Sequence, residues 1–262
     1  MFASPGAIVI QIGPLVIRWY GLLIACAVLI GTLLAQREAR RRGEDPEQLI
    51  NVAVLAIVAS LVGARLYYVL FNWDYYGSYP WKIVAIWEGG LAIHGGLFAG
   101  ILVGGIWAWR RNLPTFIYLD IVAPCIVLGQ AIGRWGNFFN QEAFGTPTDL
   151  PWKLYIGPGH RPPHLAEYEY FHPTFLYESI WNLAVFGLLF LLLRKRLEPY
   201  PGTLFLSYLG LYSFGRLFIE GLRIDSLMLG PFRAAQVMSL LLILCSVGGL
   251  WWLLTQARRG DT

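Results

Sequence analysis

The stretch from Thr115 to Gly145, TFIYLDIVAPCIVLGQAIGRWGNFFNQEAFG, decides how this chain folds. Its first two-thirds are apolar and long enough to cross a bilayer, which takes roughly 20 apolar residues. Its end, from Gly133 onward, sets Arg134, Asn137, Asn140 and Glu142 in one short block. A guanidinium placed at that depth costs at least about 2.5–3.5 kcal/mol on insertion scales, so it is a functional residue by default and implies an anion or carboxylate to meet it. Asp120 and Pro124 inside the same stretch predict a kinked helix or a water-accessible pocket rather than a smooth rod.

The rest of the composition agrees with a membrane setting. The 262 residues are 56% hydrophobic and 14% charged, with 11 Trp and 14 Tyr, and the mean hydropathy is +0.54. A soluble domain of this length carries more charge. The formal net charge of +4 does not point to nucleic acid, because no charged domain exists on which such a footprint could be built.

Seven apolar spans are expected, at Pro14 to Ala35, Leu49 to Phe71, Gly90 to Trp109, Thr115 to Trp135, Pro173 to Leu193, Thr203 to Glu220 and Ala234 to Thr255. Short cytoplasmic loops hold an excess of Lys and Arg. Here Arg37, Arg40, Arg41 and Arg42 follow the first span, Arg110 and Arg111 the third, Arg194, Lys195 and Arg196 the fifth, and Arg258 with Arg259 the seventh. Every cluster falls on one side, so the amino terminus is expected outside and the carboxyl terminus inside. The fold class expected is all-α, a polytopic integral membrane protein. It forms a single transmembrane domain over residues 1–262, with an outward-facing loop region at about 136–172.

A cleaved signal peptide is not expected, since the first seventeen residues hold no Lys or Arg. Leu23-Ile24-Ala25-Cys26 resembles a lipobox, yet in a chain full of Leu, Ala and Gly a chance match inside a span is the simpler reading. Cys26, Cys125 and Cys245 all lie within spans and read as buried small hydrophobes, neither disulfides nor metal ligands. No metal and no cofactor are expected.

With that orientation, Arg18, Arg65, Arg134 and Arg216 map to the outer half of their spans, as do His94, Asn137, Asn140, Glu142, Glu178 and Glu220. Each has a bland reading. Arg216 and Glu220 are spaced to neutralise one another on a helix face, Arg65 to snorkel to the interface, and His94, before Gly95 and Gly96, to serve as a packing histidine. Their coincidence at one depth favours a polar, net basic cavity able to hold a phosphate head group while acyl chains stay in lipid.

The block Gly133, Arg134, Gly136, Asn137, Phe138, Asn140, Glu142 and Gly145 resembles the signature of the prolipoprotein diacylglyceryl transferase family of bacterial inner membranes. Further likeness lies in Arg18-Trp19-Tyr20-Gly21, His94-Gly95-Gly96, His172-Pro173 with Leu176-Tyr177-Glu178, and Gly215-Arg216 with Glu220 and Arg223, so it covers nearly the whole chain. The family's seven spans and outside amino terminus agree with the independent count.

The resemblance implies transfer of a diacylglyceryl group from phosphatidylglycerol to the lipobox cysteine thiol of a lipoprotein precursor. A thioether forms and glycerol phosphate is released. The implied partners are phosphatidylglycerol, the signal peptides of lipoprotein precursors and the bilayer, with the site facing the periplasmic leaflet of the cytoplasmic membrane. A thiol of pKa about 8.5 is mostly protonated at neutral pH, and a histidine near 6.5 is a plausible base for it. By the same match Arg134 and Arg216 bind the phosphate and stabilise its departure, and His94 is base or proton shuttle, with Glu220 the alternative base. Tyr20, Asn137 and Glu142 hold the head group or orient the arginines, and Asn140, Gly145, Glu178 and Arg223 complete the substrate-binding set.

The outer loop from Thr146 to Phe171 is the least informative part, its prolines arguing against a stable helix and leaving a lid, a docking surface or a mobile spacer open. A transporter of anionic solutes would show paired repeats and a midplane site, and a membrane hydrolase would need a nucleophile setting that Ser179, Ser207 and Ser213 lack.

Overall fold

Length and apolarity turn each expected interval into a helix. In the computed structural model, which describes residues 2–13 and 15–260, the long helices are α1 (Trp19–Arg42), α2 (Pro46–Phe71), α4 (Ile93–Arg110), α5 (Thr115–Asn140), α6 (Thr174–Gly187), α7 (Thr203–Ile219) and α8 (Ala234–Gly260). The short α3 (Trp73–Ser78) follows α2, and α6 runs on as a π-turn over Leu188–Leu193. Five of these elements, α1, α2, α5, α6 with its extension, and α8, are long and apolar enough to cross a membrane. Little of α1, α2 or α8 is covered by protein, and residues such as Leu29, Val54, Ile57 and Leu244 point outward. Large apolar side chains facing out belong to helices solvated by lipid. The chain is an all-α, multi-pass membrane protein.

The first span departs from expectation. Pro14, its expected start, lies outside the described residues. The flanking β-branched runs pair as an antiparallel hairpin, β2 (Ile8–Ile12) with β3 (Leu15–Arg18), so the helix begins only at Trp19. Arg18 therefore ends a strand, exposed, rather than opening a helix.

The chain divides into two compact units. One, residues 34–118, holds the end of α1, then α2, α3, two 3-10 turns (Pro80–Val84 and Ile86–Glu88) and α4. Asp45 caps α2 by accepting from the Glu47 amide at 2.9 Å, with Pro46 at the first helical position. Helices α2 and α4 touch almost backbone to backbone: a Cβ added at Gly95 would stand 2.4 Å from the Gly63 carbonyl oxygen. Small residues permit that approach where lipid offers no hydrophobic drive for association.

The other unit holds residues up to 33 and from 119 onward. Helices α5, α6 and α7 share a core of Val127, Val185, Leu189, Leu204 and Tyr208. Helix α5 runs unbroken past Pro124. Asp120 opens no pocket: it is buried and accepts the amides of Gly202 and Phe205 at 2.8 Å each, capping the start of α7.

The 146–171 region is a built element, which corrects the mobile-spacer alternative. β1 (Phe2–Ala3) pairs parallel with β4 (Leu154–Tyr155), and β4 antiparallel with β5 (Tyr170–Phe171). Leu154, Ile156 and Phe171 are buried with Phe138, Phe144 and Phe175, so the loop is seated on the carboxyl end of α5 and the amino end of α6.

Candidate functional site

Helix α5 ends in the polar block and cannot continue past it. Gln141 and Ala143 adopt left-handed backbone, φ 53° and 57°, a conformation that costs about 1–3 kcal/mol each in a non-glycine residue. Two contacts hold it in place. The Gln141 side-chain oxygen accepts from the Gly157 amide at 2.7 Å, and the Thr174 hydroxyl donates to the Ala143 carbonyl. The tight turn aims Glu142 back at the helix, where it accepts from the Asn137 side chain at 2.9 Å and the Asn140 side chain at 3.4 Å.

Gly145 is the crossing point of three segments. Its amide donates to the His172 carbonyl at 3.0 Å, and the next amide, of Thr146, donates to the Leu222 carbonyl at 2.9 Å. A Cβ there would lie 2.8 Å from the His172 Cβ and 3.1 Å from the Leu222 oxygen. Substrate contact is not needed to explain this glycine; close approach of backbones explains it. Gly136 plays the same part for Tyr20, whose ring lies so close that a Cβ would meet it at 2.3 Å, while Trp19 stacks on Phe139 at 4.5 Å.

The ionic centre is Glu178, near the start of α6 and 4% exposed. Its carboxylate meets Arg134 of α5 at 2.6 Å, Arg216 of α7 at 2.8 Å and Arg223 beyond α7 at 3.4 Å. Arg216 also pairs with Glu220, one turn on, at 2.6 Å. The bland reading of that i,i+4 pair is thus half right: the two do meet, but Arg216 is shared. Arg223 forks onto Asp225 with two contacts of 2.9 and 2.8 Å. Arg233 donates to the carbonyls of Glu220 and Arg223 and to the Ser226 hydroxyl. With Arg233, which bonds backbone of the cluster rather than its carboxylates, four guanidiniums thus accompany three carboxylates among the described residues, one positive charge in excess. A buried cluster of this kind is held by geometry and mutual pairing, because each ion alone would be costly.

Arg134 is the least committed guanidinium. Glu178 is its carboxylate partner among the described residues, and its side chain keeps 21% of its surface accessible, against 17% for Arg216 and 11% for Arg223. At the outer edge, burial lowers the pKa of the Arg223 guanidinium, but the hydrogen bonds and charge of Asp225, with Glu178 and Glu220, more than offset this and raise it. Burial likewise works to raise the Asp225 carboxyl, and Arg223 holds it below the usual carboxylate range. Burial pushes the His172 imidazole down. Its Nδ1 lies 3.2 Å from the Tyr177 hydroxyl, which also accepts from the Trp152 indole at 2.8 Å. Beside the cluster, Tyr177, Ile180, Trp181, Phe214, Phe218 and Ile219 line an apolar groove between α6 and α7.

A family model described as prolipoprotein diacylglyceryl transferase matches residues 7–252. The chain belongs to the prolipoprotein diacylglyceryl transferase family. A relative from Trichormus variabilis, named phosphatidylglycerol–prolipoprotein diacylglyceryl transferase, is 55% identical over 262 residues, covering 98% of this chain and 93% of its own length. Relatives of the same name from Thermosynechococcus vestitus and Gloeobacter violaceus are 53% and 49% identical, covering 98% and 99% of this chain and 96% and 97% of their own.

Of the residues by which the sequence resembles the transferase family, the structure gathers Arg134, Glu178, Arg216, Glu220 and Arg223 in one ion network and Asn137, Asn140 and Glu142 in a second on the same turn. Tyr20 packs on Gly136 of α5, and Gly145 lies where the turn crosses His172 and Leu222. His94 belongs to the 34–118 unit, exposed in the first turn of α4 with the Tyr67 ring 6.4 Å away. Sequence reading missed Gln141, Thr174, Arg233 and Asp225. Their roles are to hold backbone or pair locally, and no spacing announces that.

Proposed function

We propose that this chain transfers the diacylglyceryl group of phosphatidylglycerol to the cysteine thiol of a prolipoprotein, the first step of lipoprotein maturation. The thiolate sulfur forms a bond to the glyceryl carbon, the bond from that carbon to the phosphate oxygen breaks with its electron pair on phosphate, and glycerol phosphate departs. The observation that carries this reading is the Glu178-centred cluster, which holds a positive charge in excess and leaves Arg134 partly accessible. Departure of a phosphate builds negative charge, and guanidiniums already fixed by Glu178 stabilise it without reorganising. Membership of the transferase family and the names of its relatives supply the same substrates.

In this reading Arg134 and Arg216 bind the phosphate, and Arg223 and Glu178 hold them in register. Asn137, Asn140 and Glu142, with Tyr20 and Gly145 behind them, shape the place of the head group. The apolar groove of α6 and α7 keeps the acyl chains out of water. His94 takes the thiol proton, because no ion pair holds its imidazole among the described residues, whereas Glu220 is committed to Arg216. The protein crosses the bacterial cytoplasmic membrane seven times as one transmembrane domain, its amino terminus and its site on the periplasmic side, where the signal peptide of the precursor presents its lipobox.

The test uses purified protein in detergent with phosphatidylglycerol and a synthetic lipobox peptide. The expected outcome is release of glycerol phosphate matched by a diacylglyceryl mass gain on the peptide, lost in Arg134→Ala and His94→Ala. Folded protein that yields neither across several lipids and peptides overturns the reading.

A further inference from the structure

Arg65 does not snorkel. Its side chain is buried on α2, 5% exposed, and five backbone carbonyls surround it. Nε donates to Ile83 at 2.8 Å, Nη1 to Gly89 and Gly90 at 2.6 and 3.0 Å, and Nη2 to Lys82 and Ala85. The Tyr76 ring lies 5.1 Å from the guanidinium carbon. No carboxylate among the described side chains meets it. A guanidinium offers five N–H donors in a rigid fork, and here all of its nitrogens are spent on one loop.

That loop leads into His94. Gly89 and Gly90 turn with φ 89° and 74°, and a Cβ at Gly90 would stand 2.7 Å from both Arg65 Nη1 and Tyr68 Cε1. Two residues on, the Ala92 amide donates to the Ala64 carbonyl at 3.0 Å, and Ala92 is the extended residue that caps α4. Ala64 and Arg65 thus hold both ends of the turn from which His94 emerges, one by carbonyl and one by side chain. The next residue, Gly95, is pressed against Gly63 and Tyr67.

We propose that Arg65 is a positioning residue for His94, fixing through the Gly89 and Gly90 carbonyls where the imidazole stands. The inference rests on the reading of His94 as the base. Lysine, with three donors on a point charge, cannot replace a fork that serves five carbonyls.

The experiment measures steady-state kinetics of transfer for Arg65→Lys and Gly90→Ala beside wild type and His94→Gln, in detergent, with rates expressed per folded molecule. Gly90→Ala keeps the charge and displaces the turn, so it serves if the Arg65 variant does not fold. Misplacement of the base predicts kcat lower by about ten- to hundredfold, a KM for phosphatidylglycerol close to wild type, and a changed pH profile of kcat. Wild-type kcat and pH profile in both variants, whatever their melting temperatures, would make Arg65 a loop anchor and overturn the proposal. Wild-type kcat in His94→Gln would instead remove the base reading, and this inference with it, while loss of activity in Arg134→Ala would leave the transferase reading standing.

Discussion

Arg65 and Arg134 both sit in the carboxyl-terminal parts of long apolar helices, yet the protein satisfies them in opposite ways. Arg65 spends its donors on backbone carbonyls of one loop and keeps its charge unpaired by any described carboxylate. Arg134 shares the carboxylate of Glu178 with two other guanidiniums and retains accessible surface. Carbonyl dipoles fill a guanidinium's geometry and leave nothing for a ligand, whereas a shared carboxylate fixes a guanidinium and leaves donors open. Burial of a cation in a membrane protein therefore marks function only once its donors have been counted.

The comparison can be broken most forcefully at Glu178. Glu178→Ala takes a carboxylate from three guanidiniums, leaving Arg134 with none among the described residues while Arg216 keeps Glu220 and Arg223 keeps Asp225, and is expected to cost about 3–5 kcal/mol of stability, read as loss of folded protein by thermal unfolding in detergent. Retained stability would show that the pairs contribute little. Arg134→Ala sharpens the contrast: transfer should fall about a hundred- to a thousandfold with the melting temperature little changed, because the residue has one carboxylate partner and an accessible face. Gly145→Ala, which places a Cβ 2.8 Å from that of His172, should destabilise by about 1–3 kcal/mol through overpacking and disturb activity only through that turn. The smallest effect is one of pH. Burial lowers the folded pKa of His172, so the unfolded chain binds its proton first as the pH falls. The contribution of His172 to stability is complete above about pH 6.5 and declines below it, a slope that His172→Gln should remove from the melting temperature plotted against pH.

Much of this was legible in the residues themselves. Apolar length located the helices, and the Gly133–Gly145 block marked the candidate site, because polar residues beside an apolar span call for partners. Other features carry no such signal. Strands of two residues, as in β1, β4 and β5, have no period to detect. Asp120 reads as a pocket until the start of α7 is seen to rest on it. Glu178 as the hub, and Arg65 as a ligand of carbonyls, arise from contacts between segments distant in the chain, and backbone acceptors are the same at every position.

The most direct measurement is binding of glycerol phosphate, the released product, to purified protein in detergent. The account predicts saturable binding weakened about tenfold or more in Arg134→Ala, the loss of a charge-assisted hydrogen bond worth about 1.5–3 kcal/mol, and unchanged binding in Arg65→Lys. Equal affinity in wild type and Arg134→Ala would contradict the assignment of the Glu178 cluster as the place where phosphate leaves.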